Sequence, residues 1–166
     1  MAAAAESAAP LPVRRFAPAD IALAGFAGGM VDLVYASVVG AIGGRNPLQV
    51  AQSIAGGWLG KATFHDGAAS VLLGLVTHFG IATTMALVFA AAARFLPVLT
   101  QRPWISGALY GLPLYGVMYG VVLPLRWPQT FPRWHGVQSI TDGLAHMGVG
   151  LAIALVLARA ARRQPA

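Results

Sequence analysis

The stretch VQSITDGLAHMGVGLAIALVLA, residues 137–158, decides the fold because it is long and apolar. Its 22 residues match the roughly 20 helical residues that cross a hydrocarbon core of about 30 Å. Three comparable runs precede it, at residues 20–43, 69–93 and 104–125. Since lipid leaves no backbone group unsatisfied and no run shows the alternation of a barrel strand, all four are predicted to be helices. The sequence therefore predicts an all-α integral membrane protein, a four-helix bundle.

The composition supports a membrane protein. Apolar residues make up 57% of the 166 residues and charged ones only 10%, against about 25% charged in soluble domains. The chain has no cysteine, which excludes disulfides, thiolate metal sites and cysteine nucleophiles. The basic residues are scattered singly or in pairs, so no nucleic-acid partner is expected. We predict one transmembrane domain over residues 19–160, with a disordered cytoplasmic tail at 1–18 and a second tail at 161–166.

The distribution of lysine and arginine predicts the orientation, because cytoplasmic loops carry more of them. If the N-terminus is cytoplasmic, the inner side holds seven: Arg14, Arg15, Arg94, Arg102, Arg159, Arg162 and Arg163. The outer side then holds four: Arg45, Lys61, Arg126 and Arg133. Both termini are therefore predicted to face the cytoplasm.

A short external helix is predicted between the first two spans, over residues 47–64. Asn46 is a suitable N-cap, and Pro47 suits the first helical position. Gln52 and Ser53 share one face of this helix with glycines, and apolar side chains share another. The segment is too short to span the bilayer. It is expected either to lie flat in the outer interface or to re-enter the membrane, with its polar face toward the bundle.

Glycines recur at a spacing of four residues, which lets membrane helices approach closely. The pairs are Gly25 with Gly29, Gly40 with Gly44, Gly107 with Gly111, and Gly116 with Gly120. The two pairs of the third span lie on opposite faces, and Pro113 between them predicts a kink. Because the second pair leaves a spare glycine face, and four helices rarely enclose a solute path alone, we expect a homodimer or a membrane partner subunit.

Four ionisable residues fall inside the predicted spans, where such groups are costly and normally face protein or a water-filled cavity. They are Asp32, His78, Asp142 and His146. Helical periodicity places Asp32 on the glycine face of the first span. His78 and His146 both lie nine residues past the predicted starts of their spans, at 69 and 137. The sequence predicts that these groups converge near the bilayer midplane as a buried polar site.

Several functions fit these residues. The four groups could carry protons, cations or a small solute, because burial brings Asp and His pKa values toward neutrality. Alternatively, His78 and His146 are axial ligands of a haem b in a redox subunit, or the two histidines and two aspartates bind a divalent metal. The groups could also only join helices in a structural protein. Hydrolysis is not expected, because the serines lack a nucleophile elbow. Further contributors to the polar site are Tyr115, Tyr119, Gln52 and Ser53.

Four segments carry a resemblance to known proteins. They are LQVAQSIAGGWLGKATF (48–64), LGLVTHFGIATTMALVFA (73–90), SGALYGLPLYGVMYGVVLPL (106–125) and GLAHMGVGLAIAL (143–155). The chain resembles a group of small bacterial inner-membrane proteins and, more distantly, YagU-like proteins. In that group the matching positions are an acid in the first helix, here Asp32, and histidines in the second and last helices, here His78 and His146. The resemblance implies a multi-pass protein of the inner membrane and leaves its activity open.

Overall fold

The computed structural model describes residues 15–163, and within that range every regular element is helical. Four helices are long and apolar enough to cross a membrane: α1 (Pro18–Ile42), α3 (Gly67–Phe95), α5 (Pro103–Arg126) and α6 (Val137–Arg162). The shorter helices are α2 (Pro47–Leu59) and the single turn α4 (Val98–Gln101). The all-α prediction is confirmed, and the protein is a multi-pass membrane protein. Of the predicted tails at 1–18 and 161–166, residues 1–14 and 164–166 lie outside the described residues.

Helices α1 and α6 form the middle of the bundle. Helix α3 packs on α1, and α5 packs on α6. The α1–α3 contact is tight, since a Cβ added at Gly25 would lie 2.5 Å from the Thr83 Cα. On another face of α1, a Cβ added at Gly28 would lie 2.9 Å from the Ile153 side chain. Glycine therefore permits backbone approach where dispersion contacts hold membrane helices together.

The α5–α6 contact uses the first glycine pair of α5. Added Cβ atoms at Gly107 and Gly111 would meet the α6 backbone, whereas Gly116 and Gly120 have nothing within 4 Å. The two pairs thus face different surroundings, as the sequence predicts. The second pair is exposed on the surface of the described chain.

Helix α5 changes geometry halfway along its length. It is α-helical from Pro103 to Val117, forms a π turn over Met118–Val122, and resumes as an α-helix from Leu123 to Arg126. Pro113 and Pro124 flank the π turn and lack the backbone N–H that an α-helix uses. Single π turns recur at functional sites. This one sets the position of Tyr119.

Helix α2 begins as predicted and ends earlier. The Asn46 side chain accepts from the Gln49 N–H at 2.9 Å, and the Gln49 side chain accepts from the Asn46 N–H at 3.0 Å. This is a reciprocal capping box. The helix stops at Leu59 because Gly60 adopts a φ of +60°, and a 3₁₀ turn covers Gly60–Phe64. The predicted single helix at 47–64 is therefore two elements.

The half of the bundle nearest the start of α1 and the end of α6 is apolar. A cluster of buried side chains from α1, α3, α5 and α6 fills it, with Phe89, Ile153 and Leu157 as its largest fully buried members. The ionisable groups lie on the other side of this cluster along the helices. The fold thus places a closed apolar layer between these groups and one face of the membrane.

Candidate functional site

Asp32 and His78 form a pair between α1 and α3. Nδ1 of His78 lies 4.0 Å from Oδ2 of Asp32, and the side chains are 10% and 30% exposed, respectively. The close approach of α1 and α3 at Gly29 also brings Nε2 of His78 to 2.8 Å from the Gly29 carbonyl oxygen. The histidine is therefore held by the backbone of one helix while it faces a carboxylate of the same helix.

The Gly29 contact assigns the proton positions on His78. A carbonyl oxygen only accepts hydrogen bonds, so Nε2 must carry a proton and donate it. In neutral His78, Nδ1 then carries no proton, and its lone pair lies on the atom 4.0 Å from the Asp32 carboxylate. A lone pair beside an ionised carboxylate is repulsive, and one added proton removes the repulsion.

Asp142 is buried between α6 and α1, with 6% of its surface exposed. Its Oδ1 accepts from the Tyr35 hydroxyl at 2.7 Å and from Nε2 of Gln138 at 2.8 Å. The Thr141 hydroxyl lies 2.9 Å from that of Tyr35 and donates to the Gln138 carbonyl oxygen. We call these four residues the Asp142 cluster. It joins α1 to α6 and gives the buried carboxylate two donors.

His146 is bonded to the backbone of Asp142 and not to its carboxylate. Nδ1 of His146 donates to the Asp142 carbonyl oxygen at 2.9 Å, one helical turn away. By the same reasoning as for His78, neutral His146 keeps a bare Nε2. Its ring is 7% exposed and lies edge-on to the rings of Tyr115 and Tyr119, at centroid distances of 5.7 and 5.8 Å. The two predicted tyrosines are therefore neighbours of His146.

Tyr119 lies beside His146. Its ring packs on that of Tyr115 at a centroid distance of 4.6 Å and edge-on to the imidazole. Because it lies in the π turn of α5, its direction depends on that local change in helix geometry. The four predicted residues form two separate contacts, Asp32 with His78 and Asp142 with His146, and Tyr119 packs beside the second.

Gln52 and Ser53 belong to a different place in the fold. Gln52 is buried against the start of α3, where its Nε2 donates to the Ser70 hydroxyl at 3.2 Å. Its backbone carbonyl accepts from the Thr63 hydroxyl of the 3₁₀ turn at 2.8 Å. The Ser53 hydroxyl donates to the Gln49 carbonyl oxygen at 2.8 Å. Gln52 therefore links α2 to the start of α3, whereas Ser53 bonds within α2. They do not contact Asp32, His78, Asp142 or His146.

Sequence reasoning missed Tyr35, Gln138 and Thr141. Tyr35 is three residues after Asp32, and Gln138 is four before Asp142, so each lies one helical turn from an acid already singled out. That spacing was the available signal. It does not reveal that Tyr35 bonds the acid of α6 and not the one in its own helix.

The arrangement bears on the ligand-binding alternatives. Residues 15–163 contain no group of three or more His, Asp or Glu side chains that could hold a metal ion. His78 contacts α1 through Gly29, and His146 contacts α5 through the two tyrosines. A bis-histidine haem needs two imidazoles that face each other across the iron. The two histidines contact different helices, and the haem and metal alternatives stay predictions from the sequence.

Comparison of the chain with protein-family models, curated proteins and solved structures finds no match. The resemblance to YagU-like proteins therefore stays a prediction from the four sequence segments. The geometry of the buried groups carries the functional argument.

Proposed function

We propose that this protein moves protons across the membrane through the Asp32–His78 pair, alone or coupled to a cation or a small solute. The observation that carries the proposal is the bond from Nε2 of His78 to the Gly29 carbonyl, which leaves Nδ1 facing Asp32. A pair that holds one proton between a carboxylate and an imidazole suits proton transfer, because its neutral and ion-pair forms differ only in the proton position.

The surroundings give the pair a polar side and an apolar side. Toward the ends of α1 and α5, Tyr119 and the Asp142 cluster provide hydroxyl, carboxylate and amide groups. Toward the start of α1, the Phe89, Ile153 and Leu157 layer closes the bundle. A proton reaches the pair through the polar half in this proposal. Passage onward requires the apolar layer to open, which is the gating step.

We further propose that the protein lies in the bacterial inner membrane with both termini in the cytoplasm. The excess of arginine at the end of the bundle that holds both termini supports this orientation. We propose that the exposed face at Gly116 and Gly120 pairs with a second copy, because small residues support helix association in lipid.

A structural role is the second candidate for one part of the site. The Asp142 carboxylate already accepts two short hydrogen bonds, and one of them joins α1 to α6. Hydrogen bonds between membrane helices average about 0.6 kcal/mol and reach about 1.7 kcal/mol. If the protein is only structural, Asp142→Asn and His146→Gln lower stability modestly and change no flux.

Reconstituted liposomes test the proposal. Asp32→Asn and His146→Ala should each reduce proton flux, because the first removes the partner of His78 and the second a buried imidazole beside Tyr119. The matched controls Asp66→Asn and His65→Ala change the same residue types on the exposed loop before α3 and should leave flux unchanged. Replacing the cations and adding candidate solutes identifies any coupled species. The proposal fails if Asp32→Asn keeps the wild-type proton flux, whatever the result for His146→Ala.

A further inference from the structure

A groove opens between α1 and α3 at the end of the bundle where the described chain begins. Its volume is about 310 Å³. The walls include the apolar residues Phe16, Ile21, Leu87 and Ala91, together with Arg15 and Arg94. We call it the arginine groove. It lies apart from the Asp32–His78 pair, on the far side of the apolar layer.

The arginine groove has a polar mouth and an apolar floor. Arg94, Ala91 and Leu87 follow one face of α3, and the seven helical steps from residue 87 to residue 94 span about 10 Å. Arg94 is in the last turn of its helix, whereas Leu87 is two turns deeper and half-exposed. Cationic side chains thus lie at the membrane boundary directly above an accessible apolar wall. This arrangement is complementary to an amphipathic molecule, whose anionic head would meet the arginines and whose apolar chain would meet the wall.

The charge around the groove favours an anion. At this end of the bundle, the part of the chain from 15 to 163 carries one carboxylate, Asp20, which accepts a hydrogen bond from the Ala17 N–H. The same end carries six arginines: Arg15, Arg94, Arg102, Arg159, Arg162 and Arg163. Each guanidinium has five N–H donors in a planar fork that matches phosphate oxygens. Basic pockets between membrane helices bind the head groups of anionic lipids.

We propose that the arginine groove binds an anionic phospholipid, with its phosphate between Arg15 and Arg94 and one acyl chain along Ala91 and Leu87. The small side chain of Ala91 leaves the floor open for the chain. The site contains none of the polar residues of the proposed proton pathway, although its wall includes Ala90 of the apolar cluster.

Native mass spectrometry of the purified full-length protein in detergent tests the proposal, with phosphatidylglycerol as the probe. Each arginine near an anionic lipid head contributes about 1 kcal/mol to the free energy of binding. Loss of both should therefore weaken binding about 30-fold. The test variant is therefore Arg15→Gln with Arg94→Gln. The matched control, Arg102→Gln with Arg159→Gln, removes the same charge from exposed positions at the same end and outside the groove. It should change the affinity less than threefold.

A third variant separates the head group from the chain. Ala91→Trp fills the floor without changing any charge, and Ala91 is exposed, so the bundle accommodates it. Phosphatidylglycerol binding should fall at least tenfold, and phosphatidylcholine should bind wild type weakly. Equal weakening of phosphatidylglycerol binding by the test variant and the control variant would overturn the proposal. Full competition by millimolar inorganic phosphate would also overturn it, because it would indicate a site for free phosphate. Helical content, measured by circular dichroism, verifies that each variant is folded.

Discussion

Replacing Gly107 by alanine should push α5 away from α6. The Cβ that alanine adds would lie 2.7 Å from the Leu151 Cα and 2.8 Å from the Gly150 carbonyl oxygen. Ordinary contact begins at 3.4 Å, so the helices must separate by about 0.7 Å (3.4 − 2.7). Both neighbours are backbone atoms, and no side-chain rotation relieves the contact. Overfilling a packed interface costs about 1–3 kcal/mol.

Alanine also favours the helix over glycine by about 1 kcal/mol, which partly offsets that cost. Gly116→Ala on the same helix isolates this gain, because nothing lies within 4 Å of the added Cβ. The helix propensity term is common to both variants and cancels in their difference. Gly107→Ala should therefore be less stable than Gly116→Ala by about 1–3 kcal/mol.

The assay is the free energy of unfolding in mixed micelles, measured by titration with a denaturing detergent and followed by circular dichroism. Protein is kept dilute in the micelles, so that association through the Gly116 face does not contribute. Equal stability of the two variants would refute the close α5–α6 contact. A lower stability for Gly116→Ala would show that the two glycine faces have been interchanged.

Other substitutions test single contacts. Tyr35→Phe removes one of the two donors to Asp142 and should cost about 1–2 kcal/mol by the same titration, against about 0.6 kcal/mol for Tyr110→Phe, which loses a bond to a neutral carbonyl. Equal losses of unfolding free energy in the two variants would contradict a stronger hydrogen bond to the Asp142 carboxylate than to a neutral carbonyl. Asn46→Ala removes the α2 cap, so amides of that helix should exchange hydrogen about fivefold faster, as for a loss of about 1 kcal/mol. Gly120→Leu should lower energy transfer between labelled copies in liposomes; unchanged transfer argues against that dimer face.

Much of the fold could be predicted from the sequence, because lipid imposes helices of a known length. The four predicted spans agree with α1, α3, α5 and α6 to within a few residues at most ends. The Asn46 cap and the glycine contact at Gly107 also follow from local rules that need no knowledge of the fold. The end of α2 could not be predicted, because only the positive φ of Gly60 distinguishes it from the other glycines in that segment.

The candidate site was harder to predict. Helical periodicity places Asp32 on the face that meets α3, and the structure pairs it with His78. Periodicity does not give the partner of a side chain on another helix, so Tyr35 was missed as a donor to Asp142. It also does not reveal that His146 would bond a backbone carbonyl. The similar depth of the two histidines predicts their level in the bundle. It does not predict the direction of each side chain, and the two contact different helices.

The role of Asp142 is clearer than its sequence position suggested. Its carboxylate does not accept a hydrogen bond from His146. The bond from Tyr35 joins α1 to α6, and the bond from Gln138 lies within α6. Asp32 has no such pair of short hydrogen bonds among the described contacts, and it faces the bare nitrogen of His78. In our proposal, Asp32 is therefore the acid that exchanges a proton, and Asp142 is the acid that fixes the helices around it.

The most direct test of the proton-transfer claim is the initial rate of proton entry into liposomes under an imposed inside-negative potential. Wild-type protein should admit protons faster than protein-free liposomes, and Asp32→Asn should return the rate to that background, because an amide cannot exchange a proton with Nδ1 of His78. A rate for Asp32→Asn equal to that of the wild type would contradict the account.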